Sequence, residues 1–242
     1  HLPLERRQAL AMMAAMDDGI GRIRTALRAR NIEKDTLIFF IGDNGAPLKS
    51  GAWNGSLNLP LTGEKGMLTD GGVRVPFVAA WPGTLPAGKV YAPAVSALDV
   101  AATAAALAGL PPSNDLDGVN LIPFLTGQKS GEPHEALYWR WRTQAAILES
   151  KWKLVLLGPD QRYLFDTSAP DGETRNLIAQ NPAVAERLLA RLKAWDTTLK
   201  VPGLPTDTNA QDKIFFDTHV EKKPGAVVEK REGGKQKKKK AK

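Results

Sequence analysis

The feature that most limits what this chain can fold into is a short run, Thr36 to Ile41 (TLIFFI), that stops abruptly at Gly42-Asp43-Asn44-Gly45. Every residue of the run is apolar or β-branched, so neither face is polar. Such a strand is expected to be buried on both faces, as in a parallel sheet covered by helices. Ahead of it, residues 5–30 carry Leu10, Met13, Met16, Ile20, Ile23 and Leu27 at spacings of three and four. That is one apolar helical stripe, with its methionines expected in the core. Arg22, Arg24, Arg28 and Arg30 gather towards its C-terminal end, where cations suit the helix dipole. Helix, short turn, buried strand and Gly-rich polar loop make up an α/β order. Open α/β sheets bind ligands at the carboxyl ends of their strands. Asp43 and Asn44 stand at such an end.

A Gly- and Asn-rich loop (45–72) follows, too long for a bare connector and so expected to be functional. Val73–Trp81 reads as the next strand. Ser96–Leu107 reads as an Ala-rich helix with Ser96 as N-cap and Gly109 past its end. From residue 134 the pattern changes. Leu137–Trp141, Ala145–Glu149, Lys153–Leu157 and Tyr163–Phe165 are short strands separated by turns, which predicts a small antiparallel sheet. Pro182–Leu199 is a helix with Val184, Leu188, Leu192 and Trp195 on one face. The chain therefore divides into an α/β part (1–133), a small antiparallel subdomain with a packed helix (134–200) and an extended, disordered Lys-rich tail (201–242).

Composition narrows the function classes. The 242 residues, 43% of them hydrophobic, allow one sizeable core or a core with a smaller satellite. The absence of Cys excludes disulfides, thiolate metal sites and a cysteine nucleophile within these residues. No apolar run approaches the roughly 18 residues of a membrane span. The net charge of +7 is local: residues 221–242 hold nine Lys and one Arg against three Glu, which is all of the excess. The remainder is neutral, so a nucleic-acid-binding fold is not indicated. Residue 1 is His, and no charged-then-apolar leader follows it. An N-terminal portion is expected to precede it.

Asp43 and Asn44 offer a carboxylate and an amide oxygen side by side, which suits a hard cation such as Ca²⁺ or Mg²⁺. Asp-Asn-Gly is equally a favoured turn sequence. Lys65, in Gly63-Glu64-Lys65-Gly66, has glycine neighbours that allow close approach of an anion, although a solvated loop Lys reads the same way. Asp70-Gly71-Gly72-Val73-Arg74-Val75-Pro76 reads as a structural turn, with Arg74 able to pair with Asp70 or another buried carboxylate. Trp139, Trp141 and Trp152 read as core of the small sheet rather than a sugar platform, and His134 as a surface-loop residue.

In their order these pieces are more specific than they are singly. Ala15-Met16-Asp17-Asp18-Gly19-Ile20-Gly21, Ile41-Gly42-Asp43-Asn44-Gly45, Gly63-Glu64-Lys65-Gly66, Asp70 to Pro76 and Trp81-Pro82-Gly83 stand in series. Leu137-Tyr138-Trp139-Arg140, Trp152-Lys153-Leu154-Val155, Tyr163-Leu164-Phe165-Asp166 and Glu173-Thr174-Arg175-Asn176-Leu177 follow. The series resembles the sulfatase family of the alkaline phosphatase superfamily over roughly residues 1–199. That resemblance implies an α/β fold, part of an alkaline phosphatase-like sheet covered by helices, and a metal-dependent hydrolase of sulfate esters. Asp43 and Asn44 would then ligate calcium, or magnesium in its place. Lys65 would contact the sulfate and offset charge on the leaving oxygen, and His1 of His1-Leu2-Pro3 would also face the sulfate. The family's nucleophile, a formylglycine made in a C/S-x-P-x-R motif, has no counterpart here, nor do its paired N-terminal aspartates. They are expected in a preceding half, so these residues alone are expected to be inactive.

The resemblance also implies a sulfated small molecule or glycan as substrate and a periplasmic or secreted location. Two other readings stand beside it: a phosphodiesterase or phosphonate hydrolase of the same superfamily, or a non-catalytic fragment that binds polyanions through its Lys tail.

Overall fold

The computed structural model describes residues 2–48, 54–158, 160–201, 203 and 210–222. The long helix forms as the apolar stripe predicts: α1 spans Leu4–Ala29. Its stripe, however, faces outward. Leu10, Met12, Met13, Met16 and Ile23 are exposed, and Ala9 is the helix's one buried residue. The expectation of core methionines is corrected, because no described element covers that face. The end of α1 is tied down instead by charge, with Arg24 and Arg28 both pairing with Glu33 at 3.1 and 2.8 Å.

The TLIFFI run becomes β1 (Ile38–Ile41), whose four residues are all half-buried. Its partner is β2 (Phe77–Ala80), with Ile38 opposite Ala80 and Ile41 opposite Phe77. The pairing is antiparallel and, among the described residues, this sheet has two strands. The expected parallel, doubly covered setting is therefore not what these residues form by themselves. A continuous apolar run signals two faces that need cover, but it carries no information on strand direction. Between the strands lies a one-turn helix, α2 (Asp70–Val73), which takes the start of the predicted Val73–Trp81 strand. Helix α3 runs from Asp99 to Leu107. Ser96 stands ahead of it, with its Oγ accepting the Leu98 N–H at 3.2 Å and its own N–H donating to the Asp99 carboxylate at 2.7 Å, the reciprocal bonding of a capping residue. A short helix α4 (Ile122–Leu125) follows.

The antiparallel sheet is a meander in sequence order. It comprises β3 (Leu137–Trp141), β4 (Gln144–Glu149), β5 (Trp152–Leu157) and β6 (Gln161–Asp166), within one or two residues of the predicted strands. Alternation along each strand splits its side chains between two cores. Ile147, Leu154 and Leu164 meet Ala185, Leu188, Leu189 and Leu192 of helix α5 (Pro182–Asp196). On the opposite face Ala146, Val155, Tyr163 and Phe165 pack with Met67 and Leu68 of the long loop and with Phe215 and Phe216. Burying each of the Ile, Leu, Val, Phe and Met side chains among them is worth about 1.5–3 kcal/mol. Phe215 and Phe216 belong to helix α6 (Ala210–His219). The tail expected to be extended from 201 onward thus contains a helix, and its aromatic pair closes the second face of the sheet. Residues 223–242, with the Lys-rich end, lie outside the described residues.

Candidate functional site

Asp43 and Asn44 leave β1 on a loop clamped at both ends. The Gly42 N–H donates to the Pro76 carbonyl and the Gly45 N–H to the Gly72 carbonyl, each at 2.9 Å. The second contact needs a bare backbone, since a Cβ on Gly45 would stand 1.7 Å from the Gly71 carbonyl oxygen. The Asn44 N–H donates to Asp43 Oδ1 at 2.9 Å. One carboxylate oxygen therefore orders the turn, and Asp43 Oδ2 and the Asn44 amide oxygen are the candidate metal donors.

Asn58 stitches this loop to the one carrying Lys65. Its Nδ2 donates to the Ala46 carbonyl at 2.7 Å and to the Gly63 carbonyl at 3.1 Å, and its Oδ1 accepts the Ala46 N–H at 3.2 Å. Asn58 sits at φ 50°, a left-handed conformation that Asn tolerates better than most residues. The Lys65 N–H also reaches the Ala46 carbonyl, at 3.4 Å. Asp43, Asn44 and Lys65 consequently line one cleft of about 1090 Å³, with Arg74, His134 and Trp141 on its walls.

The α2 turn beneath these loops is fixed to the C-terminal sheet by buried charge. Lys153, 1% exposed on β5, places Nζ 2.7 Å from Asp70 Oδ1 and 2.8 Å from Glu173 Oε1. Glu173 Oε2 accepts the Asp70 N–H at 2.5 Å. Arg74 adds a looser contact to Asp70 at 3.4 Å, one of the pairings open to it from sequence. Burial by itself pushes the Asp70 carboxyl up, but the Lys153 charge and hydrogen bond, with Arg74, outweigh it and hold Asp70 below the usual carboxylate range. Burial likewise disfavours the Lys153 ammonium, yet the charges of Glu173 and Asp70 raise it above its ordinary value. Glu173 is raised, because burial and the Asp70 charge prevail over the Lys153 it shares.

The cleft's far wall differs from expectation at two residues. His134 is not a surface-loop residue, because its Nε2 lies 2.9 Å from Asp99 Oδ1 and its side chain is 11% exposed. Asp99, fully buried, also accepts the Val119 N–H at 2.9 Å. Trp139 and Trp152 pack against the sheet's cores as expected. Trp141 does not; at the end of β3 it is 43% exposed and lines the cleft.

His1 lies outside the described residues. Among the described residues no three or more His, Cys, Asp or Glu are grouped to hold a metal. Asp43 and Asn44 supply hard oxygen donors of the right chemistry, but Ca²⁺ takes about six to eight. They fit part of a cation's shell. Sequence reading gave no roles to Asn58, Lys153 and Glu173. The available signal was Lys153 itself, a lone charge inside the apolar strand WKLVLL.

Two family models match the chain: "Sulfatase" over residues 5–110, and "N-sulphoglucosamine sulphohydrolase, C-terminal" over residues 63–198. The chain belongs to the sulfatase family. Its overlapping matches cover Asp43 and Asn44 in the first model and Lys65 in both. Among sulfatase relatives, the N-acetylgalactosamine-6-sulfatase of Mus musculus is 38% identical over 144 residues, covering 58% of this chain and 27% of that protein. The sulfatase fold recurs in the crystal structure of Ps i-CgsB in complex with k-i-k-neocarrahexaose. That match has TM-score 0.74 and 29% identity, over 93% of this chain and 49% of the other. It also recurs in the phosphonate monoester hydrolase of Agrobacterium radiobacter, with TM-score 0.60 and 27% identity over 77% of this chain and 40% of the other. This sulfatase-family chain thus spans about a quarter of the length of its curated relative and about half of the first of these structures. Among the described residues, no helix is long and apolar enough to cross a membrane.

Proposed function

We propose that this chain is the metal- and anion-binding part of a sulfuric ester hydrolase. The observation that carries the reading is the convergence of Asp43, Asn44 and Lys65 on one cleft, in a chain whose family is that of sulfatases. Asp43 and Asn44 are the residues to hold a divalent cation, Ca²⁺ or Mg²⁺, which would polarise the sulfate when bound. Lys65 is assigned the role of an ammonium that offsets charge developing on the leaving oxygen. His1 is assigned to the same anion. The formylglycine nucleophile and the remaining carboxylate ligands are assigned to a further segment, because these residues contain no C/S-x-P-x-R motif. The outward apolar face of α1 supports that division, since it is a surface built to be covered.

The substrate class is a sulfated small molecule or glycan. The N-acetylgalactosamine-6-sulfatase relative supports a sugar sulfate, and an exposed Trp141 on the cleft wall suits a sugar ring. The setting proposed is periplasmic or secreted. The phosphonate hydrolase match favours one alternative, an ester of phosphorus in the same site. Matched sulfate and phosphonate esters with one leaving group decide between them in the full-length protein. Faster sulfate release, abolished by chelation and restored by Ca²⁺, is expected. Faster phosphonate cleavage contradicts the assignment, and chelator-resistant sulfate release contradicts the role of Asp43 and Asn44.

A further inference from the structure

Helix α6 lies beyond both family matches, which end at residues 110 and 198, yet it reaches the loop that carries Lys65. His219, the last residue of α6, places Nε2 2.9 Å from Oε1 of Glu64. Glu64 is 1% exposed and immediately precedes Lys65. Its other oxygen, Oε2, accepts the Leu48 N–H at 2.7 Å. One buried carboxylate therefore joins α6, the Lys65 loop and the end of the loop that carries Asp43.

The residue on the other side of Lys65 is fixed from the same direction. Gln144 of β4, also 1% exposed, donates from Nε2 to the Gly66 carbonyl at 2.8 Å and accepts the Leu68 N–H at 3.0 Å. Phe215 stands under Gly66, where a Cβ would meet its ring at 3.5 Å. Both neighbours of Lys65 are thus clamped by elements of the C-terminal unit. Lys65 itself lines the open cleft.

We infer that His219 is a positioning residue for Lys65, acting through Glu64. A carboxylate this buried needs donors for both oxygens, and an unmet one costs about 1–3 kcal/mol. With the His219 N–H in place, Glu64 points inward, and its charge is spent on α6 and Leu48 rather than on the adjacent ammonium. Without it, Glu64 Oε1 has no partner at its buried position. The loop then relaxes towards water and the Lys65 ammonium shifts with it. The structural match to Ps i-CgsB covers 93% of this chain and so reaches beyond the end of the second family match at residue 198.

The inference rests on the proposed role of Lys65, and the test separates the two. The full-length protein and its His219→Ala, His219→Gln and Lys65→Ala variants are assayed on aryl sulfates of rising leaving-group pKa. If His219 positions Lys65, His219→Ala lowers kcat by about 10- to 100-fold on the poorest leaving group and much less on the best. Its slope against leaving-group pKa then steepens towards that of Lys65→Ala. His219→Gln, whose amide N–H still reaches Glu64, recovers most of the loss. If His219→Ala does not fold, His219→Asn, with an amide too short to reach Glu64, replaces it in the series. A wild-type slope in the variant that breaks the contact, whether the rate is unchanged or uniformly lower, overturns the inference, as does failure of His219→Gln to rescue. No sulfate release from the wild type overturns the function beneath it and this inference together.

Discussion

In the β3–β6 sheet, Ile147, Leu154, Leu164 and Phe165 are sealed from solvent, whereas on α1 Leu10, Met13, Met16 and Ile23 face outward. Both regions carry regular apolar patterns, one of period two and one of period near 3.6. The difference lies in what covers them. The sheet has α5 on one face and α6 with Met67 and Leu68 on the other. The stripe of α1 has no described element against it. Patterning states which face is to be buried; it does not state that the cover belongs to the same segment. The candidate site sits on the seam, with Asp43 and Asn44 at the end of the thinly covered β1, and it is anchored from the well-covered side through Lys153, Gln144 and Glu64.

That contrast can be broken most forcefully at Lys153. Lys153→Met strands Asp70 and Glu173 in the interior and is expected to cost about 3–5 kcal/mol in urea denaturation. A loss under about 1 kcal/mol would mean the triad is not the anchor. The same variant reads out pH. Lys153 is raised in the folded state, so its contribution is present below the ordinary lysine value and lost as pH rises through the folded one. The wild type should therefore lose stability at the alkaline end, and Lys153→Met should lose that limb. Asp70 is lowered, so its contribution is present above the ordinary carboxylate value and lost in strong acid as pH falls through the folded one.

Leu154→Ala, at a sealed position between sheet and α5, is expected to cost about 2–5 kcal/mol. Asn58→Ala comes next. It leaves the Ala46 and Gly63 carbonyls and the Ala46 N–H without their shared partner, at about 1–3 kcal/mol, and it should lower metal affinity and anion affinity together. Loss of one without the other would show that Asn58 does not couple the two loops. Met16→Ala, on the outward face of α1, is expected to stay within about 0.5 kcal/mol in this chain alone. A cost equal to that of Leu154→Ala would mean the stripe is covered and the comparison wrong.

The sheet was legible because each strand is bounded by turn residues and alternates, and periodicity is a local signal. α1 and β1 were legible as elements but not in their surroundings, because burial and strand direction depend on partners distant in sequence. α6 was missed: it packs through the adjacent pair Phe215 and Phe216, and two neighbouring aromatics make no helical period. At the candidate site, Asp43, Asn44 and Lys65 were readable as candidates from short motifs, and they line one cleft. The residues that hold their loops were not readable. Lys153 pairs with Asp70 across 83 positions and His219 with Glu64 across 155, and no local pattern marks either partner as the other's.

Sulfate release by the full-length protein and its Lys65→Ala variant, on an unactivated sulfate ester, tests the central claim most directly. If Lys65 offsets charge on the leaving oxygen, kcat falls by about 10²- to 10³-fold while the melting temperature is unchanged, because Lys65 points into a cleft rather than a core. An undiminished kcat in the variant would contradict the account and return Lys65 to the role of a solvated loop residue.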